Sequence, residues 1–132
     1  MILKYHHSTN PEVWTGRIDH PTDPDAARFH QAVRLVSIED IPGESEKSRK
    51  TLFCILGFSC DEGVRRNMGR VGAAEGPFKI RAELAKLPAN FNRTSELLDV
   101  GNIICQGEYM ESAQAELSLL VNHLLTHNIT PL

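Results

Sequence analysis

A run of glycines and arginines in the middle of the chain is the segment best suited to bind a ligand. Residues 57–77 read Gly-Phe-Ser-Cys-Asp-Glu-Gly-Val-Arg-Arg-Asn-Met-Gly-Arg-Val-Gly-Ala-Ala-Glu-Gly-Pro. The arginines offer forked donors that suit a carboxylate or a phosphate, and the glycines allow close approach of the backbone. The segment therefore has the composition of an anion-binding loop. The alternative is an ordered loop whose arginines pair with Asp61, Glu62 or Glu75.

This segment connects a predicted strand to a predicted helix. Residues 52–58 form a short apolar run, which is typical of a parallel strand covered on both faces. A helix is predicted to begin at Gly76 and to end before Pro88, which cannot continue it. In open parallel sheets, ligands gather at the carboxyl ends of strands, where such a loop lies. The predicted buried positions of the helix are Ile80, Leu84 and Leu87.

Residues 1–50 are expected to form an amino-terminal arm and a helix. Residues 1–23 are polar and rich in turn formers, which favours an irregular arm. Asp23 is expected to cap a helix that begins at Pro24, where the missing N–H of proline is harmless. Residues 42–50 carry several charges and predict an exposed loop.

Residues 51–132 are expected to form the first strand–helix units of a parallel sheet. Residues 97–104 predict a second strand, and a third helix is expected over roughly 111–127. Alternation of strands with helices then calls for a new strand at the end of the chain. This order favours an α/β fold with a parallel sheet and right-handed crossovers. The strands are too few for a complete domain, so the whole chain, residues 1–132, is interpreted as part of one.

Composition restricts the possible partners and compartment. The 132 residues carry a net charge of −3, which argues against a nucleic acid or an anionic membrane bound by bulk charge. No run approaches the ~18 apolar residues of a membrane span, and the first residues have neither the long apolar run nor the cleavage site of a signal peptide, so none is expected. Cys54, Cys60 and Cys105 are an odd number without a Cys-x-x-Cys pair, so reduced thiols in a cytoplasmic protein are expected.

A histidine pair and the cysteines are two further candidates for metal binding or catalysis. His123 and His127 lie four apart on the third predicted helix, which suits a metal pair, but surface histidines near a helix end are favoured. Arginines near Cys60 could lower the pKa of its thiol, although no histidine stands at a motif spacing to support nucleophilic catalysis. Cys54 and Cys105 are expected to be small core residues.

Residues 57–81 resemble the first strand, loop and helix of bacterial formimidoylglutamases, which belong to the arginase and agmatinase superfamily of ureohydrolases. The core of the match is Asp-Glu-Gly-Val-Arg-Arg-Asn at residues 61–67, and Gly-x-x-x-Gly-Pro-x-x-Ile-Arg ends it at residue 81. Residues 14–19, Trp-Thr-Gly-Arg-Ile-Asp, resemble the amino-terminal arm of these enzymes. Residues 99–102, Asp-Val-Gly-Asn, resemble an Asp-x-Gly-Asp turn, with Asn102 in place of its last carboxylate.

The resemblance implies the amino-terminal part of a three-layer α/β/α arginase-like fold with a parallel sheet. Family members hold two manganese ions and hydrolyse N-formimidoyl-L-glutamate to L-glutamate and formamide during histidine degradation. Their metal ligands come from motifs such as Gly-Gly-x-His and Asp-x-His-x-Asp, which are absent from this sequence. This chain alone is therefore expected to bind no metal, to contain no catalytic residue and to be inactive.

The resemblance also yields candidates for contact with the small-molecule substrate. Arg65, Asn67 and Arg70 are the residues expected to orient the substrate carboxylates or to shape the rim of the entrance. Family members are often homo-oligomers, which makes self-association possible here. Two non-enzymatic alternatives remain open: a naturally short interaction module that completes its sheet with another chain, and a small anion-binding protein that uses the arginine–glycine loop.

Overall fold

A computed structural model describes residues 1–132, and its central element is a five-stranded, mostly parallel sheet. The long strands follow the predicted apolar runs. The α-helices alternate with them, so the predicted α/β class is confirmed. The strands are β1 (His6–His7), β2 (Arg34–Leu35), β3 (Thr51–Ser59), β4 (Ser95–Ile104) and β5 (Ile129–Pro131). The α-helices are α1 (Phe29–Ala32), α2 (Ile41–Lys47), α3 (Glu62–Arg66), α4 (Gly76–Leu84) and α5 (Met110–Thr126). Single 3-10 turns lie at Pro11–Val13, Pro24–Ala26 and Ala73–Glu75.

The sheet is built around β3, which pairs in parallel with β4 on one side and with β5 on the other. Two short strands share the far edge of β4: β1 is antiparallel to it and β2 parallel. The chain passes from β3 to β4 through α3 and α4, and from β4 to β5 through α5. The outer edge of β5 has no neighbouring strand.

One face of the sheet carries the hydrophobic core. Helix α5 packs on this face through Ala113, Leu120 and Leu124, which are 0% exposed. These residues lie in the predicted third helix. The other members of the core cluster come from the arm, from α2 and the turn before it, and from the strands: Tyr5, Ile38, Ile41, Leu52, Cys54, Leu98, Val100, Ile103 and Ile129.

Strand β4 contains a bulge that creates room for the amino-terminal arm. Ile55 pairs with Asp99, but the next residue of β3 pairs with Gly101, so Val100 is the extra residue. Gly101 has a φ of 102°, and a Cβ there would lie 2.3 Å from the backbone oxygen of His7. The glycine is therefore required both by its backbone conformation and by the close approach of β1.

The amino-terminal half departs from the predictions in two places. Asp23 does cap a turn, since it accepts a hydrogen bond from the Asp25 N–H, but the turn is a 3-10 helix of three residues. The expected long helix is replaced by this turn and the short α1. The expected loop at residues 42–50 is wrong, because α2 begins at Ile41, which is 0% exposed and anchors the helix in the core.

The predicted buried stripe of α4 is also wrong. Ile80 is 68% exposed and Leu87, just beyond the helix, is 52% exposed. The residues of this helical segment that pack against the sheet are Arg81 and Ala85, each 1% exposed. The helix therefore places a charged side chain against the sheet and leaves apolar side chains beside an open groove.

No helix is both long enough and apolar enough to cross a membrane.

Candidate functional site

The glycine–arginine loop lies where β3 and β4 end side by side. Ser59, the last residue of β3, is in register with Ile104, the last residue of β4. The loop thus emerges at the carboxyl edge of the parallel pair, as predicted. A cleft lies there between the loop and the segment after β4. It is lined by Asp61, Glu62, Arg65, Val71, Ala74, Cys105, Gly107 and Glu108.

Asp61 holds the loop in its folded form. One carboxylate oxygen, Oδ1, accepts hydrogen bonds from the N–H groups of Gly72 and Ala74, both at 2.9 Å. These hydrogen bonds, that of Ala74 first, hold the pKa of Asp61 below its usual value. The hydroxyl of Ser59 donates to the backbone oxygen of Ala74 at 2.7 Å. The end of the loop is thereby tied back to the end of β3.

Glu62 forms ion pairs with both neighbouring arginines, Arg65 and Arg66. Its side chain is 4% exposed and accepts from Arg65 Nε at 2.6 Å and from Arg66 Nε at 2.9 Å. The hydrogen bond from Arg65, followed by that from Arg66, lowers the pKa of Glu62 to about 2. Arg66 also forms an ion pair with Glu111 of α5. The pairing of loop arginines with Glu62, which the sequence left open as an alternative, is therefore present.

The three candidate substrate contacts occupy different positions. Arg65 lines the cleft, and its side chain is 61% exposed although it pairs with Glu62. Asn67 and Arg70 are exposed on the outer part of the loop and do not line the cleft. Arg70 takes part in none of the ion pairs of the structure. The structure thus brings one candidate into the cleft and leaves two on its surrounding surface.

A buried polar network lies beneath this loop, and sequence reasoning missed it. The guanidinium of Arg81 donates from Nε and Nη2 to the two carboxylate oxygens of Asp99, both at 2.9 Å. Its remaining nitrogen, Nη1, donates to the side-chain oxygen of Asn102 at 2.7 Å. Gly57 leaves the space for this arrangement, because a Cβ there would lie 2.0 Å from that Asn102 oxygen.

The same carboxylate fixes the amino-terminal arm. Trp14 donates from its indole nitrogen to Asp99 Oδ2 at 2.8 Å, and the hydroxyl of Thr9 donates to Oδ1 at 3.1 Å. The Gly101 N–H also donates to Oδ1, at 2.9 Å. The segments singled out by the family resemblance, around Trp14, Arg81 and Asp99, therefore meet at one buried point. All three segments match the family pattern, and this was the signal in the sequence that could have identified the network.

The residues of this chain do not fit a metal site. No group of three or more His, Cys, Asp or Glu side chains is placed to hold a metal ion. His123 and His127 stack edge to face with centroids 4.6 Å apart, and the Nδ1 of His127 lies 2.8 Å from the backbone oxygen of His123. Burial, followed by the charge of His127, lowers the pKa of His123.

An apolar groove of about 620 Å³ opens on the sheet face that carries α4, close to the edge strand β5. Ile80 and Leu84 of α4 form one wall, and Ile55 of β3 lies on the floor. Leu132, just after β5, is 63% exposed at the side of the groove. The groove and the unpaired edge of β5 are thus neighbours, which is the arrangement left when a parallel sheet lacks its next elements.

Fold and site together define a partial α/β domain with its candidate site at the carboxyl edge of a parallel sheet. No protein family model matches the chain.

Several curated proteins are similar to most of the chain. A formimidoylglutamase of Geobacillus sp. strain WCH70 is 45% identical over 120 residues, which are 91% of this chain and 36% of that protein. Those of Lysinibacillus sphaericus and Clostridium tetani are 44% identical over 117 residues and 39% identical over 125 residues.

The chain belongs to the formimidoylglutamase family and corresponds to the amino-terminal portion of its members. It spans about a third of the length of the curated relatives that it matches, with coverage of 36%, 35% and 36% of the three proteins above.

Proposed function

We propose that this chain is the amino-terminal part of a manganese-dependent hydrolase that converts N-formimidoyl-L-glutamate to L-glutamate and formamide in cytoplasmic histidine degradation. The observation that carries the proposal is the 45% identity over 91% of the chain to a protein named formimidoylglutamase. The position of the loop supports it, because a loop at the carboxyl edge of a parallel sheet borders the ligand site of such folds.

The chain alone is inactive under this proposal. Attack on the formimino carbon at neutral pH requires an activated water, which a bound metal ion supplies by lowering the pKa of that water. No cluster of ligands for such an ion exists here. Under this proposal the metal-holding residues come from the remaining two-thirds of a family member. The apolar groove and the free edge of β5 are the surfaces against which those further elements pack.

Arg65, Asn67 and Arg70 form the rim of the substrate entrance in the proposed complete enzyme. The substrate carries carboxylates, and an exposed guanidinium is a suitable partner for them. Arg70 is the strongest of the three candidates, because Arg65 already shares its guanidinium with Glu62 and Asn67 carries no charge. In this arrangement Glu62 orients Arg65, and Asp61 holds the loop that carries all three residues.

A chimera tests this assignment. Residues 1–132 replace the matched segment of the Geobacillus sp. strain WCH70 protein, and release of L-glutamate is measured in the presence of Mn²⁺. Arg70→Ala is expected to raise KM about tenfold or more with little change in kcat, because one charge-assisted hydrogen bond is lost from substrate binding. Arg49→Ala is the matched control, since Arg49 is exposed next to the opposite end of β3. Equal KM values for the two variants would contradict the assignment to the rim.

One feature favours a second candidate function, an interaction module that packs against another chain. The free edge of β5 can accept a further strand, and the adjacent groove can accept apolar side chains. Sedimentation of the purified chain, alone and mixed with the separately produced remainder of the Geobacillus protein, distinguishes the two. A stable homo-oligomer that does not take up the remainder would favour the module.

A further inference from the structure

The carboxyl ends of β3 and β4 bring two cysteines together. Cys60 follows Ser59 at the end of β3, and Cys105 follows Ile104 at the end of β4. Ser59 and Ile104 are register partners, and the Cys105 N–H donates to the Ser59 backbone oxygen at 2.9 Å. Because neighbouring strands lie ~4.8 Å apart, this register predicts a separation of the two cysteines within the range that a disulfide spans, ~4.4–6.8 Å between Cα atoms.

The pKa of the Cys105 thiol is shifted by its surroundings, which include Cys60. Burial first, and then a hydrogen bond with the Cys60 sulfur, raises the pKa of Cys105 to about 11. The raised pKa makes Cys105 the less favourable thiol for the first attack, and its sulfur lies 3.5 Å from the Gly107 backbone oxygen, to which it donates. Both residues are partly exposed, and Cys105 lines the cleft at the carboxyl edge.

The third cysteine provides an internal contrast. Cys54 lies in the middle of β3 and is 0% exposed. Burial raises the pKa of its thiol to about 12. A buried, protonated thiol neither attacks a disulfide nor is reached by one. Reactivity in the folded chain should therefore be confined to Cys60 and Cys105.

We propose that Cys60 and Cys105 form an oxidisable thiol pair that a low-molecular-weight disulfide converts into a disulfide bond joining the ends of β3 and β4. The Cys60 thiolate attacks one sulfur of the reagent, which forms a mixed disulfide and releases one reagent thiolate. Cys105 then loses its proton to solvent and attacks the Cys60 sulfur, which releases the second reagent thiolate. Two protein thiols are oxidised by two electrons, and one reagent disulfide is reduced to two thiols.

The bond would act directly on the candidate site. Cys60 is the residue before Asp61, which holds the glycine–arginine loop through Gly72 and Ala74. A covalent link from Cys60 to the end of β4 would fix the first residue of this loop and close one side of the cleft. The pair is thus a modification site independent of the proposed hydrolase function, and it is present within the chain itself.

Glutathione disulfide is the probe for the test. The folded chain is incubated with it, quenched with acid, alkylated, digested and analysed by mass spectrometry. The expected product has lost two hydrogen atoms, contains a Cys60–Cys105 linked peptide, keeps Cys54 alkylated as a free thiol, and reverts with dithiothreitol. Cys54→Ser should form the same bond at the same rate. Cys105→Ser should instead accumulate a stable glutathione adduct on Cys60.

Two results would overturn the proposal. One is a wild-type chain that accumulates the Cys60 glutathione adduct while Cys105 remains free. The other is equal alkylation rates for all three thiols in the folded chain. The structure predicts that burial slows Cys54, so that its alkylation is at least ~10-fold faster in urea than in the folded chain.

Discussion

Arg81 and Asp99 form a bidentate ion pair whose side chains are 2% and 0% exposed. The pair joins helix α4 to strand β4, and Asp99 also accepts the indole N–H of Trp14. A buried charge pair is costly to assemble but much more costly to break, because removal of one partner leaves the other uncompensated. This contact therefore determines how the arm, α4 and the sheet are held together under the candidate site.

Loss of the guanidinium should destabilise the chain strongly. Arg81→Leu is expected to lower the free energy of unfolding by about 3–5 kcal/mol, because Asp99 would remain charged and buried without its partner. Urea unfolding followed by far-UV circular dichroism measures the change. Lys86→Ala removes an ion pair with Glu83 whose side chains are 61% and 74% exposed, and it should cost no more than about 1 kcal/mol. Similar losses in both variants would be inconsistent with a buried, structure-determining pair.

The space above Gly57 should be essential. Gly57→Ala would place a Cβ 2.0 Å from Asn102 Oδ1 and 2.8 Å from Pro77 Cβ, which forces the network to shift. We expect the free energy of unfolding to fall by about 1–3 kcal/mol. Gly43→Ala is the control: Gly43 lies in α2 and meets only the mobile end of Lys47 at 4.0 Å. That variant should be stabilised by about 0.5–1 kcal/mol, and the same sign for both variants would contradict the model of a tight contact.

Asp61 should protect the loop from proteolysis. Asp61→Ala removes the acceptor for Gly72 and Ala74, and hydrogen bonds to a charged acceptor are stronger than those between neutral groups. Trypsin cleavage after Arg70 should therefore accelerate at least ~10-fold, since cleavage follows local opening. Asp25→Ala, which breaks only an exposed pair with Arg93, should leave that rate unchanged. An unaltered rate in Asp61→Ala would show that other contacts hold the loop.

The arginine pairs of α3 should give the chain a defined acid sensitivity. Arg65 and then Arg66 lower the pKa of Glu62 from 4.5 to about 2. Between these values the folded chain binds fewer protons than the unfolded chain, so stability increases with pH in that window. The contribution is complete above pH 4.5 and is lost as the pH falls towards 2. Glu62→Gln should show a shallower decline of the unfolding midpoint over this range, and identical slopes would refute the role of Glu62.

The main strands and the last helix were predictable because their apolar periodicity reflects burial directly. Leu52 and Cys54 on β3 and Leu120 and Leu124 on α5 are buried as their pattern indicates. Helix α2 was not predictable, because its charged sequence resembles that of a loop and one buried side chain, Ile41, fixes it to the core.

The face of α4 could not be derived from composition either. Arginine is ordinarily exposed, so nothing in the local pattern shows that Arg81 is buried and Ile80 exposed. The reversal depends on Asp99, which lies 18 residues further along the chain, and on the open groove beside Ile80. The position of the loop at the sheet edge was predictable from topology. The ion pair between Arg65 and Glu62 was left open, because it depends on the short helix α3, which places the two residues one turn apart.

Complementation in two pieces tests whether this chain supplies the amino-terminal part of a formimidoylglutamase. Release of L-glutamate from N-formimidoyl-L-glutamate with Mn²⁺ is measured for this chain, for the remaining carboxyl-terminal part of the Geobacillus sp. strain WCH70 protein, and for the mixture. We expect no turnover by this chain alone and turnover by the mixture, because the proposed metal ligands and the loop-bearing part of the sheet would lie on different pieces. Turnover by this chain alone, or a mixture that forms a stable complex without activity, would contradict this expectation.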